Sequence, residues 1–141
     1  MHKRVRAVIR EENRYLFIHR IKGDKEYWVV PGGGVEEDDA TLAAALKREC
    51  VEELGVEVEV GEFFAKTYFE LDGVEQEQHI FHCRITGGVV GTGQGPEYQP
   101  DGGYEGSYEP VWLHKEELRD KHILPEEVKH IIIKDLDEDR P

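Results

Sequence analysis

The sequence is poor in cysteine, in basic residues and in long apolar runs. Its 141 residues include two cysteines, Cys50 and Cys83, and no Cys-x-x-Cys pair, which disfavours a structural zinc site. Both lie among apolar neighbours, so we expect buried, reduced thiols. No apolar run approaches the roughly 20 residues that cross a bilayer, and the basic start lacks the apolar segment of a secretion signal. We therefore expect a cytoplasmic protein.

Acidic residues dominate the charge. The chain has 31 Asp and Glu against 18 Lys and Arg, a net charge of −13. Such a surface repels nucleic-acid backbones and anionic membranes, so neither is an expected partner. It would also repel a small phosphorylated substrate unless a divalent cation stood between the two. The charge balance agrees with a metal-using enzyme, and equally with simple solubility.

The apolar pattern predicts a single domain, 1–141, with many short strands and two helices. The expected strands are 5–10, 15–21, 27–30, 56–60, 63–71, 76–85 and 110–113, and the expected helices are 40–54 and 125–135. We expect a break at Gly61 between the fourth and fifth strands. This order indicates an α+β fold, an α/β/α sandwich around a mixed β-sheet with a C-terminal helix.

The central helix has clear signals at both ends. Asp38 or Asp39 is a candidate N-cap, and Gly55 is a stop signal after the last turn. Before the helix, a proline and three glycines at 31–34 predict a loop with unusual backbone angles. A second Gly-rich stretch, 87–106, predicts a long loop, and loops of that length are usually functional or disordered.

Three acids on this helix carry the strongest chemical signal. Glu49, Glu52 and Glu53 fall within about 100° of one side and border the apolar stripe. Their mutual repulsion, and their place in the C-terminal half, both disfavour the helix, and a bound cation would offset this cost. Hard cations such as Mg²⁺ prefer oxygen ligands. A solvated acidic face is the alternative, but the adjacent glycines, which let the backbone approach a metal or phosphate, favour a site.

The segment from Gly33 to Val56 resembles the signature of the Nudix hydrolases. That signature is Gly, five residues, Glu, seven residues, Arg-Glu, an aliphatic residue, any residue, Glu-Glu, any residue, Gly and an aliphatic residue. Its second half matches throughout, at Arg48, Glu49, Cys50 (in the aliphatic position), Glu52, Glu53, Gly55 and Val56.

The first half of the signature fits in two ways. Either Gly34 and Ala40 take the glycine and first Glu positions, or Gly33 and Asp39 take them and the loop is one residue longer. We prefer the second alignment because it leaves Pro31-Gly32-Gly33 in the family's usual place. In the family the first Glu is mainly structural, so the departure concerns loop geometry more than catalysis.

The resemblance implies a Nudix-like fold with a catalytic helix, and an Mg²⁺-dependent hydrolase, with Mn²⁺ as a substitute ion. The enzyme would cleave the diphosphate (pyrophosphate) linkage of a nucleoside diphosphate linked to X. Such substrates include an oxidised or ordinary nucleoside triphosphate, ADP-ribose and a nucleotide sugar.

The resemblance also assigns roles to individual residues. The implied metal ligands are Glu49, Glu52, Glu53 and the carbonyl of Gly32 or Gly33. Arg48 joins the catalytic set, first as support for Glu52, and Gly33 and Gly34 are candidate substrate contacts. Arg20 is a further candidate on its own position late in the second strand, from which it could reach a phosphate, with plain surface charge as the alternative. The general base is open among Glu97, Glu105 and Glu109, with Glu97 preferred because it follows the rigid pair Gly95-Pro96.

Two other functions compete with the hydrolase. One is a non-catalytic Nudix-like module that senses a nucleotide, and the other is an acidic interaction domain. Trp28, Tyr68 and Phe69 are candidates for stacking on a base, although aromatic residues in strands more often pack in a core. A homodimer formed through a sheet edge is compatible with the sequence.

Overall fold

Eight strands and two helices follow one another in the part of the chain that the computed structural model describes, residues 1–100, 102–103 and 105–138. The elements are β1 (His2–Glu11), β2 (Arg14–Lys22), β3 (Lys25–Val29), β4 (Gly32–Gly34), α1 (Leu42–Leu54), β5 (Val56–Leu71), β6 (Val74–Gly88), β7 (Glu109–His114), β8 (Ile123–Leu124) and α2 (Glu126–Glu138). The last three residues of the predicted domain, 139–141, lie outside the described residues.

The strands form one mixed sheet in the order β5-β6-β1-β2-β3-β8. Strand β4 pairs with β1, and β7 pairs with β2. The pairs β1–β6 and β3–β8 are parallel, whereas the other pairs are antiparallel. The α+β fold and the mixed sheet predicted from the sequence are therefore confirmed. No helix in the described ranges has both the length and the apolar character needed to span a membrane.

Strand β1 shows how the two layers around the sheet arise. Successive side chains of a strand point to opposite faces. Val5, Ala7 and Ile9 pack in the apolar cluster that contains α1, whereas Val8 packs in the cluster that contains α2. Arg6 lies on the same face of β1 as Val8 and is buried. The two helices thus cover opposite faces, and one arginine enters the α2 side.

Helix α1 ends as predicted but begins differently. Gly55 takes the left-handed conformation, φ 77°, at the C-terminus. The N-cap is Thr41, whose Oγ1 accepts a hydrogen bond from the Ala44 N–H at 3.0 Å. The predicted cap at Asp38 or Asp39 is wrong, because the Asp39 carboxylate accepts hydrogen bonds from Arg48 instead.

Two other sequence expectations need correction. The glycines at 32–34 form strand β4, not a loop, because they pair with β1 in a register that places Gly33 opposite Val5. A Cβ at Gly32 would lie 1.9 Å from the Val5 carbonyl oxygen, so the close pairing requires glycine. The expected break at Gly61 is absent, since β5 continues through it and absorbs the irregularity as shifts of register against β6.

Replacing Leu46 with Ala tests the α1 layer. Leu46 is fully buried in that layer, so we expect its truncation to lower the free energy of unfolding by about 2–5 kcal/mol. Val51 lies on the same helix and is 50% exposed, so Val51→Ala should change it by less than about 0.5 kcal/mol. Urea denaturation measures both values, and equal losses would contradict this assignment of the core.

Candidate active site

Two acids of α1 are buried against the glycines of β4. Glu49 is 8% exposed and Glu53 is 2% exposed. A Cβ on Gly33 would lie 2.6 Å from the Glu49 carboxylate, so only glycine leaves room for this carboxylate. The Gly32 N–H donates a hydrogen bond to Glu53 Oε1 at 2.9 Å. The glycine-rich strand therefore accommodates one acid and binds the other.

Two tyrosines from the segment between β6 and β7 also donate hydrogen bonds to Glu53. The Tyr108 hydroxyl donates to Glu53 Oε2, and the Tyr98 hydroxyl donates to the backbone carbonyl oxygen of Glu53. The two rings meet edge to face, with centroids 5.5 Å apart. Burial raises the pKa of Glu53 to about 8, although Tyr108, Arg6 and the Gly32 N–H oppose this rise. No local sequence pattern links Tyr108 to Glu53, because the two residues are 55 positions apart.

Arg48 ties the other acids together. It donates to both Asp39 oxygens, at 3.0 and 2.9 Å, in a bidentate pair. Its Nη1 donates to Glu49 Oε1 at 3.1 Å and to Glu52 Oε2 at 3.2 Å, and its Nη2 donates to the Gly34 carbonyl oxygen at 3.0 Å. Arg48 thus contacts two of the predicted metal ligands, and its part in catalysis stays a prediction.

The Asp39 contacts bear on the alignment of the signature. Hydrogen bonds from Arg48 and from the Glu36 N–H lower the pKa of Asp39 and keep its carboxylate ionised. Ala40, the alternative residue, has no carboxylate with which to pair. The geometry therefore favours the alignment with one extra residue, in which Asp39 takes the place of the first Glu.

Glu97 approaches the same acids from the segment between β6 and β7. The Gly95 N–H donates to the Glu52 carbonyl oxygen at 2.9 Å, and a 3₁₀ turn at Pro96–Tyr98 follows. Within the described residues, Glu97 Oε1 is buried and has no hydrogen-bond partner. Burial, with a smaller contribution from the nearby Glu52 charge, raises the pKa of Glu97. This carboxylate oxygen is available to a proton or a cation.

The other candidate bases and Arg20 lie elsewhere. The Glu105 side chain is exposed, as is Glu109 at the start of β7. Arg20 donates to the carbonyl oxygens of Ser107 and Glu105, and its guanidinium stacks on the Tyr108 ring at 4.8 Å. Arg20 therefore anchors the segment that carries Tyr108, and its contact with a substrate stays a prediction.

The acids suit a divalent cation, although they do not form a finished coordination shell. Among the described residues, no three His, Cys, Asp or Glu side chains stand in positions ready to hold a metal ion. Glu49 and Glu52 accept from Arg48, and Glu53 accepts from Tyr108 and Gly32. The unpartnered oxygen of Glu97 and the crowding of carboxylates nevertheless fit a hard cation with oxygen ligands.

A cavity of about 420 Å³ opens on the other side of β1. Its polar lining comes from Arg6, Gln78, Glu126 and Glu127, and its apolar lining includes Tyr68 and Phe69 of β5. Of the aromatic residues considered from the sequence, Trp28 packs against the α2 layer and stacks on His19. Two aromatic side chains therefore lie where they can contact a ligand.

The NUDIX domain family model matches residues 1–134. The chain belongs to the NUDIX family. It is 31% identical over 126 residues to the CTP pyrophosphohydrolase of Escherichia coli (strain K12), a match that covers 88% of this chain and 84% of that protein. The solution structure of the E. coli ORF135 protein matches with a TM-score of 0.72 and 28% identity, covering 100% of this chain and 94% of that one.

A MutT-like protein of Streptomyces ambofaciens is 36% identical over 86 residues, covering 61% of this chain. The match spans only 53% of that relative, about half of its length. Together these findings confirm the family and the hydrolase class that the signature predicts. In this chain, two of the signature acids are buried beside the glycine strand.

The raised pKa of Glu53 predicts how the metal-free protein responds to pH. The pKa of this carboxyl is 4.5 in the unfolded chain and about 8 in the fold. The folded protein therefore loses stability as the pH rises through this interval. We therefore expect Glu53→Gln, in the presence of chelator, to be increasingly more stable than wild type from pH 5 to pH 8. Thermal melting across this range measures the difference. A constant difference would show that Glu53 is not the titrating group.

Tyr108→Phe tests the hydrogen bond to the Glu53 carboxylate. Loss of the phenol donor should raise the pKa of Glu53 further, because that bond stabilises the ionised form. Tyr98→Phe is the matched control, since it also removes a hydroxyl from this segment. The Tyr98 hydroxyl donates to the backbone carbonyl oxygen of Glu53 and not to its carboxylate. NMR titration of the labelled carboxyl group measures the pKa. An equal shift in both variants would contradict the assignment.

Proposed function

We propose that this chain hydrolyses the diphosphate linkage of a nucleoside triphosphate with Mg²⁺, and that cytidine nucleotides are its preferred substrates. The observation that supports this most directly is the burial of Glu49 and Glu53 against the glycines of β4, with the unpartnered Glu97 oxygen beside Gly95 and Glu52 at the end of α1. With a net charge of −13, the chain suits a small substrate that arrives with a metal ion better than a nucleic-acid polymer.

The acids fall into two roles in this mechanism. Glu49, Glu52 and Glu53 would hold the ion, which neutralises the phosphates and orients the attacking water. Arg48 keeps Glu49 and Glu52 aligned through its hydrogen bonds. The water oxygen forms a bond to phosphorus as the bridging P–O bond breaks, and the water proton passes to Glu97 Oε1. The raised pKa of Glu97 makes its carboxylate a stronger base than that of an ordinary exposed Glu.

The cavity beside β1 is the proposed place of the base. Its volume of about 420 Å³ is within the range of small-ligand pockets, roughly 300–1,000 Å³. Arg6 offers donors, and Glu126 and Glu127 offer acceptors at the start of α2. Cytosine pairs two acceptors, O2 and N3, with a donor amino group at N4, and so suits this lining. The relation to a CTP pyrophosphohydrolase supports the same choice.

A nucleotide-sensing module without catalysis is the alternative function. It would bind the same ligands through the cavity and the acids, and it would release no product. Measurement of binding beside turnover separates the two functions.

We expect pyrophosphate release from CTP with Mg²⁺ and none with excess chelator. Glu97→Gln should lower kcat by about 100-fold or more, because it removes the acceptor of the water proton. Glu105→Gln is the matched control, an exposed acid of the same segment, and it should leave kcat unchanged. A panel of CTP, UTP, ATP and GTP measures the substrate preference.

Three outcomes of these measurements would contradict the proposal. Full activity in chelator would overturn the metal assignment, and equal losses in Glu97→Gln and Glu105→Gln would overturn the choice of base. Calorimetric binding of CTP without any turnover would identify the sensing module.

A further inference from the structure

A buried polar chain joins the cavity to the segment that leads into β4. Arg6 is 9% exposed and donates from Nε to Gln78 Oε1 at 2.7 Å and from Nη1 to the Val30 carbonyl oxygen at 2.9 Å. Gln78 donates in turn to Thr67 Oγ1 at 3.1 Å. Arg6 and Gln78 both line the cavity. One guanidinium therefore faces the proposed base and also holds the backbone of Val30.

The contact with Val30 lies close to the buried acids. Val30 stands two residues before Gly32, whose N–H binds Glu53. Gly32 itself pairs with Arg6 across β1 and β4, so closely that a Cβ at Gly32 would lie 2.8 Å from the Arg6 Cα. The short segment from Val30 to Gly32 is thus held at both ends by Arg6, and its position determines where the Gly32 N–H meets Glu53.

Arg6 keeps its positive charge although its side chain is buried. Burial and the neighbouring Arg4 lower its pKa to about 10, while the charges of Glu53 and Glu49 oppose this change. Arg6 therefore remains protonated at neutral pH. A guanidinium has five N–H donors, and Gln78 and Val30 each accept one. Among the described residues no other hydrogen bond from Arg6 is found, so donors are left for an acceptor in the cavity.

We propose that Arg6 and Gln78 form a specificity-determining pair that couples the base in the cavity to the position of Glu53. This inference rests on the proposed function, because it takes the cavity as the base site. Gln78 Oε1 sets the orientation of the guanidinium, and a base with an acceptor then stabilises the arrangement that also holds Val30. A substrate without a base cannot stabilise that arrangement of Arg6, so the pair affects turnover only of substrates that carry a base.

Gln78→Leu tests the coupling, with Gln76→Leu as the matched control. Both glutamines lie on β6, face the same side and are 4% exposed, but only Gln78 binds Arg6. The substrates are CTP and ribose 5-triphosphate, which has the sugar and phosphates but no base. We expect Gln78→Leu to reduce the ratio of kcat/KM for CTP to that for ribose 5-triphosphate at least ten-fold, with part of the loss in kcat. Gln76→Leu should keep the wild-type ratio.

A conservative variant separates this role from loss of packing. Gln78→Glu keeps an acceptor for Arg6 Nε, so it should retain most of the wild-type ratio. Thermal melting checks that each variant is folded. Equal losses for both substrates in Gln78→Leu, an equal effect of Gln76→Leu, or a ratio in Gln78→Glu as low as in Gln78→Leu would each overturn the inference. Wild-type protein that hydrolyses neither substrate would overturn the proposed function instead.

Discussion

The burial of two carboxylates between α1 and a strand of glycines is the constraint on which the site depends. A carboxylate removed from water is costly unless hydrogen bonds or cations replace its hydration. Glu53 obtains part of this replacement from the Gly32 N–H and from Tyr108, and Glu49 obtains part of it from Arg48. These contacts determine which face of α1 meets the sheet, and they require β4 to approach without side chains.

The glycine strand serves both sides of the sheet. On the α1 side the absent Cβ of Gly33 leaves room for Glu49. On the α2 side the segment before β4 is bound by Arg6, which reaches the cavity. A single three-residue strand thus separates the buried acids from the proposed base site by the thickness of one sheet.

Local spacing revealed the helix, its acids and the family, because residues three and four apart on a helix share a face. It failed where a distant residue decided the outcome. The glycines of 32–34 have low strand propensity, yet pairing with β1 makes them a strand. Asp39 has the residue type and position of an N-cap for α1, but both of its carboxylate oxygens accept hydrogen bonds from Arg48. Arg6 and Gln78 are 72 residues apart, and no local pattern indicates that they touch.

Two hydrogen bonds position Glu97 and support the proposal that it, among the three acids, is the base. The sequence offered only the rigid Gly95-Pro96 pair as a reason. In the structure the hydrogen bond from the Gly95 N–H to Glu52 precedes Glu97, and the hydrogen bond from Tyr98 to the Glu53 carbonyl follows it. A residue held on both sides in this way must place its side chain beside the end of α1. The segment between β6 and β7 therefore supplies the site with an acid because α1 exposes backbone carbonyls at its C-terminal turn to which that segment can bind.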